Sequence, residues 1–207
     1  MFLGCQFSLY PMTDRFVEVI LGAIDRLQNL GDRLRVESDD LSTLLVGAPE
    51  VLFPALQECF VQAAGRSSHL VMNVSLSRGC PGEPDDPLCH SAALGGSVEP
   101  TAAGRVSAAL GRLGPVAPTG IPAAAQIALY PLGRPDYMAA IGDCIAFIKK
   151  SGLHSRAKHF CTRMDGDAAE VFQAIETSFL CFGGHDDHVV LTAVISKGSP
   201  SPRPAAG

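Results

Sequence analysis

The sequence has no tryptophan, and aromatic residues make up only 6% of its 207 positions. Charged residues are also sparse at 18%, against 47% hydrophobic, a balance that excludes a disordered chain. Lys and Arg (16) are outnumbered by Asp and Glu (21), for a formal charge of −5, and no basic stripe gathers on any stretch. A nucleic-acid surface is therefore not expected; the pair Lys149-Lys150 is better suited to the negative end of a helix dipole. No apolar run approaches membrane-spanning length, and Met1-Phe2-Leu3-Gly4-Cys5 lacks a basic n-region. No membrane insertion is expected, and the cytoplasm is the expected compartment. There is no Gly-x-Gly-x-x-Gly and no P-loop, and Gly95-Gly96 follows no convincing strand. The seven cysteines (5, 59, 80, 89, 144, 161, 181) form no CxxC pair and no zinc spacing. Their odd number fits free thiols in a reducing compartment, with Cys59, Cys144, Cys161 and Cys181 as small core hydrophobes.

What the chain does contain is a repeat. Gln6-Phe7-Ser8-Leu9-Tyr10-Pro11-Met12 returns as Gln126-Ile127-Ala128-Leu129-Tyr130-Pro131-Leu132, identical at four of seven positions 120 residues apart. From Thr43 onward the separation becomes 119: Thr43 matches Thr162, Gly47 Gly166, Phe53 Phe172, His69 His188, Ser77 Ser196 and Gly79 Gly198. One single-residue gap reconciles the two registers, so the chain is a tandem duplication and each feature has to be read twice. Modules of roughly 80 residues bury a modest fraction of their surface and are expected to lean on each other or on a second subunit.

Each half reads β-α-β-β-α-β. In the first, a strand over 5–10 stops at Pro11, and Thr13 or Asp14 is placed to cap a helix with Phe16, Val17, Ile20, Leu21, Ile24 and Leu27 on its apolar face. Strands over 33–38 and 41–46, a helix from Pro49 and a strand over 69–77 follow. The second half repeats this with strands at 125–130, 153–157, 159–164 and 187–196. Its helices run near 135–150 and over 168–182, the latter capped by Asp165-Gly166-Asp167. The expected class is α+β, with each module a four-stranded antiparallel sheet carrying both helices on one face and its first and third strands central. The organisation is a first module over 1–81, a Pro/Gly/Ala-rich linker over 82–122 with a short helix between Thr101 and Leu113, and a second module over 123–202. Leu70, Met72, Val74 and Leu76 read as an apolar sheet face that needs cover, which predicts sheet-to-sheet packing between modules and between two chains.

Enzyme signatures are thin. Gly183-Gly184-His185-Asp186-Asp187-His188 is the one tract resembling a metal cluster, but the first half keeps only His69 at the matching place, so a polar helix–strand turn is the better reading and no metal or cofactor is expected. His69 and His188 each start a strand and read as structural hydrogen-bonding groups. His159 and Cys161, two apart and on one strand face, could form a dyad, but they correspond to Asp40 and Ser42 and so belong to one half only. The features that recur are Leu9/Leu129 and Thr43/Thr162 on adjacent central strands, closed by Tyr10-Pro11 and Tyr130-Pro131. A threonine hydroxyl there needs a partner, either a structural group or one small ligand per half.

The strings Phe7-Ser8-Leu9-Tyr10-Pro11-Met12, Val71-Met72-Asn73-Val74-Ser75-Leu76-Ser77-Arg78-Gly79-Cys80-Pro81-Gly82 and Ala128-Leu129-Tyr130-Pro131 resemble the YkoF family of thiamine/hydroxymethylpyrimidine-binding proteins. Asp136-Tyr137-Met138 and Met164-Asp165-Gly166-Asp167-Ala168 extend the resemblance over about residues 5–202. It implies a tandem ferredoxin-like fold, a cytoplasmic homodimer, and non-catalytic binding of thiamine or its hydroxymethylpyrimidine precursor, one site per module. It further implies a role in uptake or salvage of that precursor, with a vitamin-precursor transporter as a partner. The ligand positions it implies are Leu9 and Thr43 in the first module and Leu129 and Thr162 in the second, with Phe7, Tyr10, Tyr130 and Asn73 nearby. An aminopyrimidine requires a donor beside an acceptor; main-chain groups at Leu9 and Leu129 supply both if Pro11 and Pro131 interrupt the ladder. The linings differ between halves (Asp40 against His159, Asn73 against Thr192, Phe7 against Ile127), which argues against equal affinity. Two alternatives remain open on the residues alone: an enzyme of thiamine salvage using the same pockets, and a structural or regulatory dimerisation protein without a ligand.

Overall fold

The computed structural model describes residues 3–80, 101–184 and 187–201. Cys89, Gly95-Gly96, Pro81-Gly82, His185 and Asp186, which figured in the sequence reading, lie outside the described residues. The element order is β1 (Leu3–Pro11), α1 (Phe16–Ile24), a 3-10 stretch (Asp25–Arg33), β2 (Leu34–Ser38), β3 (Thr43–Gly47), α2 (Pro49–Gly65) and β4 (Leu70–Arg78). After α3 (Ala102–Arg112) come β5 (Pro122–Leu132), α4 (Tyr137–Lys150), β6 (His154–Lys158), β7 (Cys161–Asp167), α5 (Ala168–Cys181) and β8 (His188–Lys197). Each half is a βαββαβ unit of the ferredoxin-like type, with its first and third strands central, as the hydrophobic patterning requires.

The two units meet along their edges and not by their faces. β4 and β8 pair antiparallel from Leu70 opposite Lys197 to Arg78 opposite Val189, giving one eight-stranded sheet in the order β2-β3-β1-β4-β8-β5-β7-β6. This corrects the expected sheet-to-sheet packing of modules. Leu70, Met72, Val74 and Leu76 are fully buried in the core beneath the helices. Their neighbours Val71, Asn73, Ser75 and Ser77 take the opposite face. The hydrophobic period of β4 identified a buried face correctly; what it could not tell was which side the helices occupy.

The joint is built from repeated residues, each reaching into the other module. Arg78, buried at the end of β4, donates from Nε to the carbonyl of Phe179 (3.1 Å), from one terminal nitrogen to Phe182 (2.9 Å) and from the other to Gly184 (2.8 Å). These are carbonyls at and just past the C-terminus of α5, left without intrahelical donors. Burial pulls the guanidinium down to about 10, although Asp187 and Cys181 push it up. Lys197, its counterpart on β8, donates from Nζ to the carbonyls of Ser67 (2.7 Å) and Ala64 (3.2 Å) at the C-terminus of α2. The repeated histidines also reach across: His188 Nε2 lies 3.2 Å from Ser77 Oγ, and His69 Nε2 lies 3.5 Å from Ser196 Oγ. Their expected structural role thus has a geometric basis.

The capping expectations divide. Asp167 caps α5, accepting from the amide of Ala169 (2.9 Å), while Glu170 closes the capping box on the Asp167 amide (3.1 Å). Asp167 also accepts from the Thr119 and Gly120 amides, tying the linker's end to the second module. By contrast, α1 begins after Arg15 with no side-chain cap; Thr13 Oγ1 accepts only from the Arg15 amide at 3.3 Å, so Thr13 and Asp14 do not cap it as expected. The expected linker helix is α3, which buries Val106 and Ala109 and packs on α4 and α5.

Gly79 and Gly198 follow the two latching cations with φ of 66° and 69°. A Cβ on Gly79 would collide with the carbonyl of Asp187, and one on Gly198 with that of Ser68. Gly79→Ala and Gly198→Ala are each expected to cost about 1–3 kcal/mol. Gly65→Ala, at the end of α2 where a Cβ meets nothing within 4 Å, is expected to gain about 0.5–1 kcal/mol. Urea unfolding midpoints of the three variants check this; equal midpoints would show that the joint tolerates a side chain.

Candidate functional site

Where α4 leaves the sheet, the second module holds a cavity of about 770 Å³, within the size range of small-ligand pockets. Its floor is Ile127 and Leu129 of β5 with Thr162 of β7; its wall is Ile141, Cys144, Ile145 and Ile148 of α4. Ala157, Lys158 and Phe160 of the β6–β7 hairpin close one end, and Pro131 to Arg134 with Tyr137 and Met138 form the other. An apolar helix stripe normally fills such a wedge. Here the stripe is wider than the core beneath it: Phe147 and Ile148 are fully buried, whereas Tyr137 and Met138 stay exposed at 48% and 62%.

The first module repeats the rim. Among the described residues, ten of the twelve exposed large hydrophobics are Tyr10, Met12, Phe16, Val17 and Leu41 and their counterparts Tyr130, Leu132, Tyr137, Met138 and Phe160. Scattered apolar residues need no explanation, but two matching clusters do. The face of α1 read as core is accordingly divided: Val19 and Ala23 are buried, while Phe16, Val17 and Leu21 face outward.

Of the candidate residues, Phe7, Leu9, Thr43, Leu129 and Thr162 are buried on the helix-facing side of the sheet. Thr43 lies opposite Phe7 and Thr162 opposite Ile127 in their ladders. Tyr10 and Tyr130 alternate to the other side and are half exposed, although Tyr130 still borders the cavity. Asn73 lies opposite Ser8 on the open face, so the sheet separates it from Phe7, Leu9, Thr43, Leu129 and Thr162.

The reason for an open backbone at Leu9 and Leu129 also differs from the expected one. Pro11 and Pro131 do not interrupt the ladder: they stand opposite Leu70 and Val189. The opening comes from the other neighbour. The β1–β3 pairing ends at Phe7 opposite Thr43, and the β5–β7 pairing ends at Ile127 opposite Thr162. Beyond those points each first strand is paired on one side only, which is where proline is tolerated.

The two threonines have different surroundings. Thr43 Oγ1 lies 2.9 Å from Ser38 Oγ on β2. Ala157 holds the equivalent place opposite Thr162 and brings no hydroxyl, and both line the cavity. The hairpin tips differ as well. In the first, Asp39 Oδ1 accepts from the amides of Leu41 and Ser42, both at 2.8 Å, and these bonds hold its carboxyl below the usual range. In the second, His159 and Phe160 make the turn, with Phe160 at φ 67°. His159 is therefore not on a strand face shared with Cys161, as their spacing had suggested.

Arg134, at the mouth, is held by both Asp136 oxygens (2.6 and 2.7 Å) and by Asp187 (2.7 Å), and hydrogen bonding to Asp136 keeps its guanidinium raised. Among the described residues no aspartate or glutamate lines the cavity. Among the described residues no group of three or more His, Cys, Asp or Glu could hold a metal ion, and no helix is long and apolar enough to cross a membrane. The helix wall, Ala157, Phe160 and Arg134 were not singled out as site residues from sequence, because their apolar spacing is also that of a core face; the one available signal was the paired exposed start, Phe16-Val17 and Tyr137-Met138.

This duplicated geometry agrees with comparison to known proteins. The model of the YKOF-related family matches residues 2–83 and 122–202, one match per module. The chain belongs to the YKOF-related family. Over 200 residues it is 32% identical to the "Putative HMP/thiamine-binding protein YkoF" of Bacillus subtilis strain 168, spanning 96% of this chain and 91% of that protein. The family assignment and the tandem ferredoxin-like architecture thus agree residue range by residue range.

The thiols report on the same geometry. Burial pushes Cys59 and Cys144 up to about 12 and Cys5 higher still. Cys80 is exposed, and Cys161 is half-buried at the cavity. Among the described cysteines of the native protein a thiol reagent is expected to modify Cys80 first and the half-buried Cys161 and Cys181 next, with Cys5, Cys59 and Cys144 protected; all seven thiols of the chain should react in denaturant. Peptide mapping of the labelled protein decides the order, and early labelling of Cys144 would contradict the packing of α4.

Proposed function

We propose that this protein is a non-catalytic cytoplasmic binder of thiamine or its hydroxymethylpyrimidine precursor, with one site per module, serving uptake or salvage of that precursor beside a vitamin-precursor transporter. The observation that carries the reading is the cavity bounded by Leu129 and Thr162, with its matching rim in the first module. The relative's name supports the ligand class. A flat uncharged aminopyrimidine suits the deep apolar end, where Thr162 and the one-sided strand at Leu129 offer polar groups; a thiazolium ring suits the mouth, beside Tyr137 and Phe160. The apolar lining of Ile127, Ile141, Ile145 and Ile148 favours placing the neutral ring innermost.

The open sheet face supports the homodimer. Across its four central strands it carries Gly4, Gln6, Ser8, Tyr10, Val71, Asn73, Ser75, Ser77, Val190, Thr192, Val194, Ser196, Ala124, Gln126, Ala128 and Tyr130, with no charge. At ~4.8 Å between strands and ~6.8 Å between same-face residues, such a face spans roughly 500 Å² per copy before its flanks are added. Two copies face to face approach the lower bound for a specific interface.

Two outcomes follow. Thr162→Val is expected to weaken the second-module site by about 1–3 kcal/mol, roughly 5- to 150-fold, while Thr43→Val acts on the first-module site and less strongly, because Ser38 keeps a hydroxyl there. Calorimetric titration with thiamine and with the pyrimidine alcohol measures both; wild-type constants in both variants would make the threonines core packing. Light scattering should give a dimer at micromolar concentration, and a monomer would remove the sheet-face interface.

A further inference from the structure

The cavity mouth of the second module and the matching rim of the first each rest on a helix–strand turn, and each of those turns is held by a cation from the other module. In the second module, Gly184, whose carbonyl accepts from Arg78, donates its amide to Asp187 at 2.7 Å. The same Asp187 oxygen accepts from Arg134 at 2.7 Å. Arg134 lines the cavity and grips Asp136, the residue before α4, whose first residues Tyr137 and Met138 form the rim. Gly183 sits in the same turn at φ 88°, where a Cβ would lie 3.4 Å from the Arg78 guanidinium and 3.7 Å from Pro131. The path from Arg78 to the cavity therefore runs through one turn and one aspartate.

The first module has the same path with other atoms. Lys197 donates to the carbonyl of Ser67, and Ser67 Oγ donates to the carbonyl of His69 at 2.6 Å. That carbonyl also accepts from the amide of Met12 at 2.9 Å. Met12 follows Leu9-Tyr10-Pro11 and stands at the first rim. The two turns differ in sequence, Arg66-Ser67-Ser68-His69 in one and Gly183, Gly184 and Asp187 among the described residues of the other, yet share one arrangement: a partner-module cation on the turn's carbonyls, and the turn in contact with the segment after the strand proline.

We infer that Arg78 and Lys197 are crossed positioning residues: Arg78 of the first module sets the mouth of the second pocket, and Lys197 of the second module sets the mouth of the first. Neither reaches the space a ligand would occupy. Each acts through hydrogen bonds to carbonyls at and just past a helix C-terminus, so its removal loosens the turn more than the sheet. The half-buried Lys197 can be replaced with less risk to folding than the buried Arg78. The inference rests on the ligand reading above for its consequence, but not for its geometry.

The test has two arms on the full chain. Without ligand, amide hydrogen exchange is followed in peptides covering residues 10–16 and 131–138. Lys197→Met should speed exchange in the first peptide and leave the second unchanged; Arg78→Lys and Arg78→Met should do the reverse, and Lys197→Arg should restore the wild-type rate. With thiamine as the probe, calorimetry of Lys197→Met in the Thr162→Val background should show the first-module site weakened roughly 3- to 30-fold. In the Thr43→Val background the same substitution should leave the second-module site within about twofold. If Arg78→Met does not fold, the Lys197 pair decides alone. Faster exchange in both peptides alike, or only in the substituted residue's own module, overturns the inference. A wild-type protein that binds no thiamine overturns the function proposed above, while a crossed exchange pattern still upholds the latch.

Discussion

The structure depends on one strand pairing, β4 against β8. A βαββαβ unit exposes the backbone of an edge strand, and a unit of about 80 residues has little core with which to offset that cost. Pairing two such edges removes both and runs the cores together: Phe60 of α2 stacks against Phe172 of α5 at 5.5 Å, and Phe53 meets Phe179 at 6.3 Å. Backbone pairing along a strand is sequence-tolerant and slips easily, since its period is only two residues. What pins it here is polar: Ser77 to His188, Ser196 to His69, and the two cations at the strand ends. A slip by one residue would withdraw a buried guanidinium from all three of its carbonyls, a loss far larger than that of a displaced apolar contact.

The same pairing leaves the opposite side of each unit free to be imperfect. Near β4 and β8 the helices α2 and α5 are packed solidly, with Leu52, Leu56, Phe60, Val171 and Phe179 fully buried. Away from the joint, apolar side chains of α4 line a wedge instead of filling it, and α1 likewise leaves Phe16, Val17 and Leu21 exposed. Stability is concentrated at the seam and access at the periphery, a division that binding proteins commonly need.

Much of this was legible in the sequence. The repeat gave the element order, the central strands and the Asp167 cap, because periodicity and capping chemistry act locally. The residues of the pocket floor, Leu129 and Thr162, were legible because they recur on adjacent strands. Three things were not. Which sheet face the helices cover depends on crossover handedness and not on the pattern of β4, so Leu70 to Leu76 were assigned a cover they already had. The edge joint involves backbone groups, which every residue possesses. The wall of the cavity consists of side chains such as Ile141 and Ile145 whose spacing is identical whether they bury against a strand or border a void. Arg78, the most consequential buried polar residue, has its partners about a hundred residues downstream, where local patterning does not reach.

Merging the two units into one sheet also decides how larger assemblies can grow. Two edges remain, β2 and β6, each only five residues long. β2 carries Arg35 paired with Glu37 at 2.6 Å, and β6 carries Arg156 and Lys158, the latter bonded to Gln126. Short, charged borders of this kind refuse a further strand. Extension within the plane of the sheet is thereby closed at both ends, so a filament of side-by-side copies is disfavoured.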